Sequence, residues 1–135
     1  MMQKLTITTK TEKEVVDLTT ILNDLTSKVG FLEGLLFIFT THTTCALTTA
    51  DMDPGTDKDY IKAFSQMVPK LDYVHPHNPA HVPDHVMSAM IGTSLVIPIQ
   101  SASMLLGQNQ RVVLIELMGP RERRLYLTFW SEKTY

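Results

Sequence analysis

The sequence predicts an α+β fold, strand-rich, with antiparallel sheets packed as a sandwich and about three helices. Three observations lead to it. Apolar residues alternate, or run in short β-branched blocks, over about seven segments. Helical spacing occurs in only three. From residue 94 onward strands follow one another across short turns, so the strand–helix alternation that a doubly wound α/β fold requires fails after residue 92.

Residues 3–9 (QKLTITT) alternate, with Leu5 and Ile7 on one face. From Asp17 the period changes: Leu18, Ile21, Leu22, Leu25 and Val29 recur at helical spacing, and Gly30 stands where a helix-ending glycine belongs. GLLFIFTT (34–41) is a short apolar run bounded by glycine, a buried strand by its length, and TTCALTT after His42 is another. The acidic segment 51–59 turns at Pro54-Gly55. Asp57 is placed to cap a helix that buries Tyr60, Ile61, Phe64, Met67 and Val68 until Pro69 stops it. Pro83 fits the first turn of a helix over 83–91, closed by Gly92. Strands follow at 94–99, 103–107 and 110–117. Past Gly119-Pro120 comes 123–130, where Leu125, Leu127 and Phe129 alternate with Tyr126, Thr128 and Trp130.

The 135 residues suffice for a single domain, 1–135, with a real core, and 44% apolar against 19% charged is a globular balance. A net charge of −2 with interspersed signs lacks the basic stripe of a nucleic-acid binder. A lone cysteine rules out an internal disulfide framework. The N-terminus alternates instead of forming an apolar signal core, and no apolar run approaches a membrane span. A soluble, cytoplasmic protein is expected, with neither nucleic acid nor membrane as partner.

Chemistry concentrates in LDYVHPHNPAHVPDH (71–85), which holds four of the five histidines. Imidazole is the commonest transition-metal ligand and titrates near neutrality; the plain alternative is a solvated loop. His81 and His85 are four apart, but Pro83 between them argues against a shared helical face; a site assembled from His85 at the helix start and His75 from the loop needs only that the fold bring them together. The fifth histidine, His42, ends an apolar strand among hydroxyls (Thr41, Thr43, Thr44) that can fix its tautomer or help bind an anion. In Gly119-Pro120-Arg121-Glu122-Arg123-Arg124, arginines beside a tight turn suit phosphate or carboxylate. Glu116 lies inside an apolar strand and must meet an arginine, a histidine or a metal. Cys45, at an odd separation from His42 in a strand, reads as a small buried hydrophobe rather than a nucleophile.

These pieces are collinear over nearly the whole chain: THTT (41–44), Asp51, DPGTD (53–57), Tyr73-Val74-His75, PDH (83–85), IGTS (91–94), IPI (97–99), LLG (105–107), Gln110 and E-x-x-GPRERR (116–124). In this they resemble the YjbQ family, also called the secondary thiamine-phosphate synthase family. The resemblance implies a homotrimer with sites near subunit boundaries. It also implies a pocket of His42, His75 and His85 that holds a divalent metal ion, zinc among the candidates, or a phosphate-like anion. The implied activity is a weak thiamine phosphate synthesis, joining a hydroxymethylpyrimidine diphosphate to a thiazole phosphate. Two positions depart from the family pattern: Asn109 stands where a tryptophan is usual and Met118 where an acid is usual.

On the enzyme reading, the metal with Arg121 or Arg123 neutralises the departing pyrophosphate, while Asp51 or Glu116 orients a ligand histidine. Thr43, Thr44 and Gln110 complete the set that binds the small phosphorylated molecule. The competing reading is a non-catalytic binding module for a metal or phosphorylated metabolite, which the two departures favour. A third, purely structural reading has the histidines and arginines only stabilise the assembly.

Overall fold

A computed structural model of the chain describes residues 2–132. In chain order the elements are β1 (Met2–Thr8), β2 (Glu14–Asp17), α1 (Thr19–Lys28), β3 (Gly34–Thr40), β4 (Cys45–Ala50), α2 (Thr56–Met67), α3 (Val82–Ile91), β5 (Ser94–Gln100), β6 (Ser103–Met104), β7 (Arg111–Glu116) and β8 (Glu122–Trp130). A 3-10 turn, Pro79–His81, leads into α3. Two antiparallel sheets form, one of five strands in the order β1-β8-β3-β5-β6 and one of three in the order β2-β7-β4. This is the expected strand-rich α+β sandwich.

Alternation along the strands decides what fills it. Leu36, Ile38, Ile97, Ile99, Leu125 and Leu127 point inward from the larger sheet and meet Cys45, Leu47, Val112 and Leu114 of the smaller, with Leu18 and Leu22 from the α1 region packed against the same core. Val15, Ala46, Val113 and Ile115 cover the other face of the smaller sheet, where Val68, Met87 and the half-buried Tyr60, Ile61 and Phe64 pack on them. β7 is thus buried on both sides, which is why its sequence reads as one apolar run. The outer face of the larger sheet is left open and apolar, with Phe37, Phe39, Val96 and Trp130 each at least two-fifths exposed.

Several local details differ from the sequence reading. β2 was not foreseen, because EVVD is four residues long with only Val15 buried and shows no period to detect. Asp17 belongs to that strand; its carboxylate accepts from the Thr19 amide and pairs with Arg111 at 2.7 Å. α1 ends as expected at Gly30, whose φ of +73° lets the Gly30 amide reach the Ser27 carbonyl and the Phe31 amide reach Thr26. Ile21 and Val29 lie on its solvent side. Gly55, not Asp57, caps α2: with φ at +90° it lets Thr56 bond back to Asp53, and Asp57 falls inside the first turn, where the helix dipole favours an acid. Met67 is exposed, and β6 stops after two residues. Among the described residues no helix is long and apolar enough to cross a membrane.

The burial pattern sets the cost of truncation. Leu114→Ala empties a fully enclosed position and is expected to lower unfolding free energy by about 3 kcal/mol in urea titration. Ile21→Ala, on the open side of α1, should cost under about 1 kcal/mol.

Candidate functional site

Three connections carry the chain from one sheet to the other at the same end of the sandwich: residues 9–13 after β1, 41–44 after β3 and 117–121 after β7. A buried polar knot joins them. Glu116, fully enclosed, receives Arg123 Nε at 2.8 Å and Arg123 NH2 at 2.5 Å, the Thr9 hydroxyl at 2.7 Å and the Met118 amide at 3.0 Å. Arg123 NH2 also donates to the Thr44 carbonyl and hydroxyl at 3.0 and 2.9 Å. Burial on its own would raise the Glu116 pKa; Arg123, the Met118 amide and the Thr9 hydroxyl outweigh it and hold the carboxyl below its ordinary range. Gly119 fits because a Cβ there would press on Thr11 O and come within 2.9 Å of Glu116 Cγ and Thr9 Oγ1. Its bond to Pro120 is cis.

This knot reassigns three expected site residues. Arg123 is 1% exposed and its Nε and Nη2 are spent on Glu116 and Thr44, a pairing that ties the loops and turns these donors away from solvent. Thr44 is buried as its acceptor. Glu116 meets its arginine as expected, and being enclosed it positions loops instead of reacting. Cys45 is buried, and burial foremost pushes its thiol pKa up, as suits a core hydrophobe.

The histidines gather beside the knot. His42 leaves β3 with Nε2 accepting the Arg124 amide at 3.1 Å. Burial lowers its pKa first, and the charges of Arg123, Arg124 and Arg121 lower it further against the pull of Glu116. His85, in the first turn of α3, donates Nδ1–H to the carbonyl of Thr43, the next residue after His42, at 3.1 Å. His75 stacks on His85, ring centroids 5.1 Å apart and planes 17° from parallel, and its Nδ1 accepts the amides of His77 and Asn78 at 3.3 and 3.2 Å. His77 meets His75 edge-on at 5.7 Å. His81 turns away to Asp84, so it makes no pair with His85.

Backbone groups therefore settle the proton on each neutral ring. His42 carries it on Nδ1, His75 on Nε2 and His85 on Nδ1, leaving one unspent lone pair, His85 Nε2, where a three-imidazole metal centre needs three. Among the described residues no group of three or more His, Cys, Asp or Glu side chains could hold a metal ion. The expected divalent ion, zinc included, does not fit His42, His75 and His85 in this arrangement. His42 and His75 present N–H donors, and the charges of three arginines act on His42. Arg121 is exposed, and among the described residues its side chain bonds only Met118 O, through Nε at 2.7 Å. Arg124, also exposed, belongs to the arginine turn that the sequence marks out, although the expected anion-binding set names only Arg121 and Arg123. Thr9 is outside that set: its hydroxyl bridges Glu116 and the Arg121 amide, and it carries no sequence signal beyond its place at a strand end.

Two expected residues lie elsewhere. In the β4–β7 ladder Cys45 faces Glu116 and Ala50 faces Arg111, so Asp51 and Gln110 stand at the end opposite the histidines, roughly 15–20 Å along the strand. The Asp51 carbonyl accepts the Tyr60 hydroxyl at 2.9 Å; Gln110 bonds Thr49 and the Gly107 amide, both at 3.0 Å. Neither can orient a histidine of its own chain.

Comparison with known proteins gives this arrangement its lineage. The family model described as UPF0047 protein YjbQ-like matches residues 3–132. The chain belongs to the YjbQ family. A UPF0047 protein of Archaeoglobus fulgidus is 30% identical to this YjbQ-like chain over 123 residues, 90% of the chain and 95% of the relative. The UPF0047 protein YjbQ of Escherichia coli O157:H7 is 33% identical over 116 residues, 83% of the chain and 84% of the relative. A hypothetical protein of Aeropyrum pernix K1 superposes with a TM-score of 0.89 at 28% identity, covering 98% of the YjbQ-like chain and 99% of its own.

The knot makes a stability prediction with a pH sign. Glu116→Gln breaks a buried pair and is expected to cost about 3 kcal/mol at neutral pH. A carboxylate whose folded pKa lies below its ordinary value of 4.5 contributes fully above that value and loses its contribution as pH falls through the folded pKa. Urea titrations across the acid range should show wild type losing stability on acidification more steeply than Glu116→Gln; equal slopes would refute the assignment.

Proposed function

We propose that the histidine end of the sandwich binds the phosphate group of a small phosphorylated metabolite. The observation that carries this reading is the pair of N–H donors on His42 and His75, fixed by backbone bonds, with the charges of Arg123, Arg124 and Arg121 acting on His42. Burial is the main cause of the lowered His42 pKa, and the guanidinium charges that add to it disfavour a cation and favour an anion. The reaction to which such a site is suited is the transfer implied by the family resemblance: the thiazole nitrogen of a thiazole phosphate attacks the methylene of a hydroxymethylpyrimidine diphosphate. The carbon–oxygen bond breaks, and pyrophosphate leaves with the electron pair. The product is a thiazolium, so no proton has to be taken up. The site's work is to hold the diphosphate and neutralise the charge that grows on it. Asn109 and Met118 favour a second reading, in which the phosphate is held without turnover.

Sulfate tests the binding step, because its charge stays constant over about pH 5 to 8, where imidazole titrates. His42 donates through Nδ1 while neutral, and its lowered pKa keeps it neutral, so calorimetric affinity for sulfate should persist above the ordinary histidine value of 6.5 and should fall in His42→Ala. Arg121→Ala should weaken sulfate about tenfold. Sulfate binding that appears only after zinc is added would overturn the reading. Turnover of the two precursors, followed as pyrophosphate release, separates the transferase from the binding module.

The same reading takes the protein as a homotrimer with sites near subunit boundaries. Two features support this: the open apolar face of the larger sheet, and the separation of Asp51 and Gln110 from the histidines. A cyclic trimer brings different patches of neighbouring copies together, so the Gln110 end of one can close on the histidine end of the next. Light scattering should give a trimeric mass. Phe37→Glu should lower it, and a monomeric wild type would remove this part of the proposal.

A further inference from the structure

Away from the histidines, α2, α3, the segment after α2 and the connections at Lys13 and Leu117 line a cavity of about 100 Å3. Ile61, Phe64, Val68 and Met87 wall it, and Lys13, Lys70 and Asp84 bring charge to it. The charges do not cancel. Asp84 is engaged at both oxygens, by Lys13 at 2.7 Å and by His81 at 3.1 Å. Lys13 Nζ also donates to the Leu117 carbonyl at 2.7 Å, which leaves one of its three N–H bonds unspent. Lys70 has no hydrogen-bond or ion-pair partner among the described residues. Two lysines against one aspartate leave one positive charge at the mouth of an apolar hole.

We propose that this cavity is a second binding site, for a small monocarboxylate with a short apolar tail. One negative charge balances the lysines. The head accepts from Lys70 and the free N–H of Lys13, and the tail lies among Ile61, Phe64, Val68 and Met87. Since an apolar cavity of about 150 Å3 takes benzene, about 100 Å3 takes an aliphatic group of roughly four carbons. The site uses none of the groups assigned to phosphate binding, so it stands or falls independently of that reading.

Titration of the isotopically labelled full-length protein with isovalerate, followed by amide chemical shifts, tests it. Saturable shifts are expected at Ile61, Phe64, Met87 and Leu117. Acetate, which keeps the head and loses the tail, should bind about tenfold more weakly, and isopentylamine, which keeps the tail and reverses the charge, should not saturate. Lys70→Ala, at an exposed position where folding is not at stake, should weaken isovalerate about fivefold. Phe64→Ala should move the preference toward a longer carboxylate such as hexanoate. Equal response to the amine, or undiminished isovalerate binding in Lys70→Ala, would overturn the proposal, as would no saturable shift at all.

Discussion

The pairing of Glu116 with Arg123 is the constraint around which the site is arranged. One residue ends a strand of the smaller sheet and the other begins a strand of the larger, so the ion pair spans the sandwich. Thr9 and Thr44, from the other two crossings, complete its hydrogen bonds. Burying two charges costs several kcal/mol, and a well-packed apolar pair of similar volume would often be as stable. The gain is in geometry. No buried side-chain nitrogen or oxygen among the described residues lacks a partner, and a network satisfied at every atom admits few other arrangements of the three loops it ties. His42, Thr43 and the arginine turn all leave from those loops.

Because the loops are fixed, the backbone decides the chemistry of the imidazoles. An amide of β8 faces His42, two amides of the histidine segment face His75, and a carbonyl of the β3–β4 loop faces His85. Each contact engages one ring nitrogen, and its polarity determines whether the other is a donor or an acceptor. Two rings are left as donors and one as an acceptor. With carbonyls in place of the amides that face His42 and His75, all three rings would offer a lone pair, as a metal centre requires; as they stand two of the three are donors, and the charges of Arg121 and Arg124 on His42 work in the same direction.

Most of the fold was legible because long strands and helices have a period. Elements too short to show one were lost, as with β2, and a cap was misplaced where a glycine with positive φ did the work assigned to an aspartate. The site was legible in part. That Glu116 needed a cation followed from its apolar surroundings. Which cation could have been read from β8: Leu125 and Leu127 face the core, and Arg123 shares their parity, so it points inward while Arg124 does not. Strand register was the missing knowledge for Asp51 and Gln110. They sit in order with the other motif residues along the sequence, yet the β4–β7 ladder places them at the opposite end of the sandwich.

The two departures from the family pattern bear differently on the two ends. Met118 serves the histidine end through its backbone, giving its amide to Glu116 and its carbonyl to Arg121, contacts any residue at that position supplies. An acid there would add a negative charge beside Arg121 and weaken its pull on an anion. With methionine the arginine turn keeps its charge, which on the proposed reading strengthens its hold on a phosphate. Asn109 lies in the turn before Gln110, where Gln110 still holds Thr49 and Gly107, so the loop keeps its shape while losing the aromatic surface of a tryptophan. Stacking against a planar heterocycle is what such a ring would offer. On the proposed reading, the groups assigned to the phosphate are all present in this chain, and the surface that would align a heterocyclic ring has lost its wall, an asymmetry that favours retention of an anion over efficient joining of two rings.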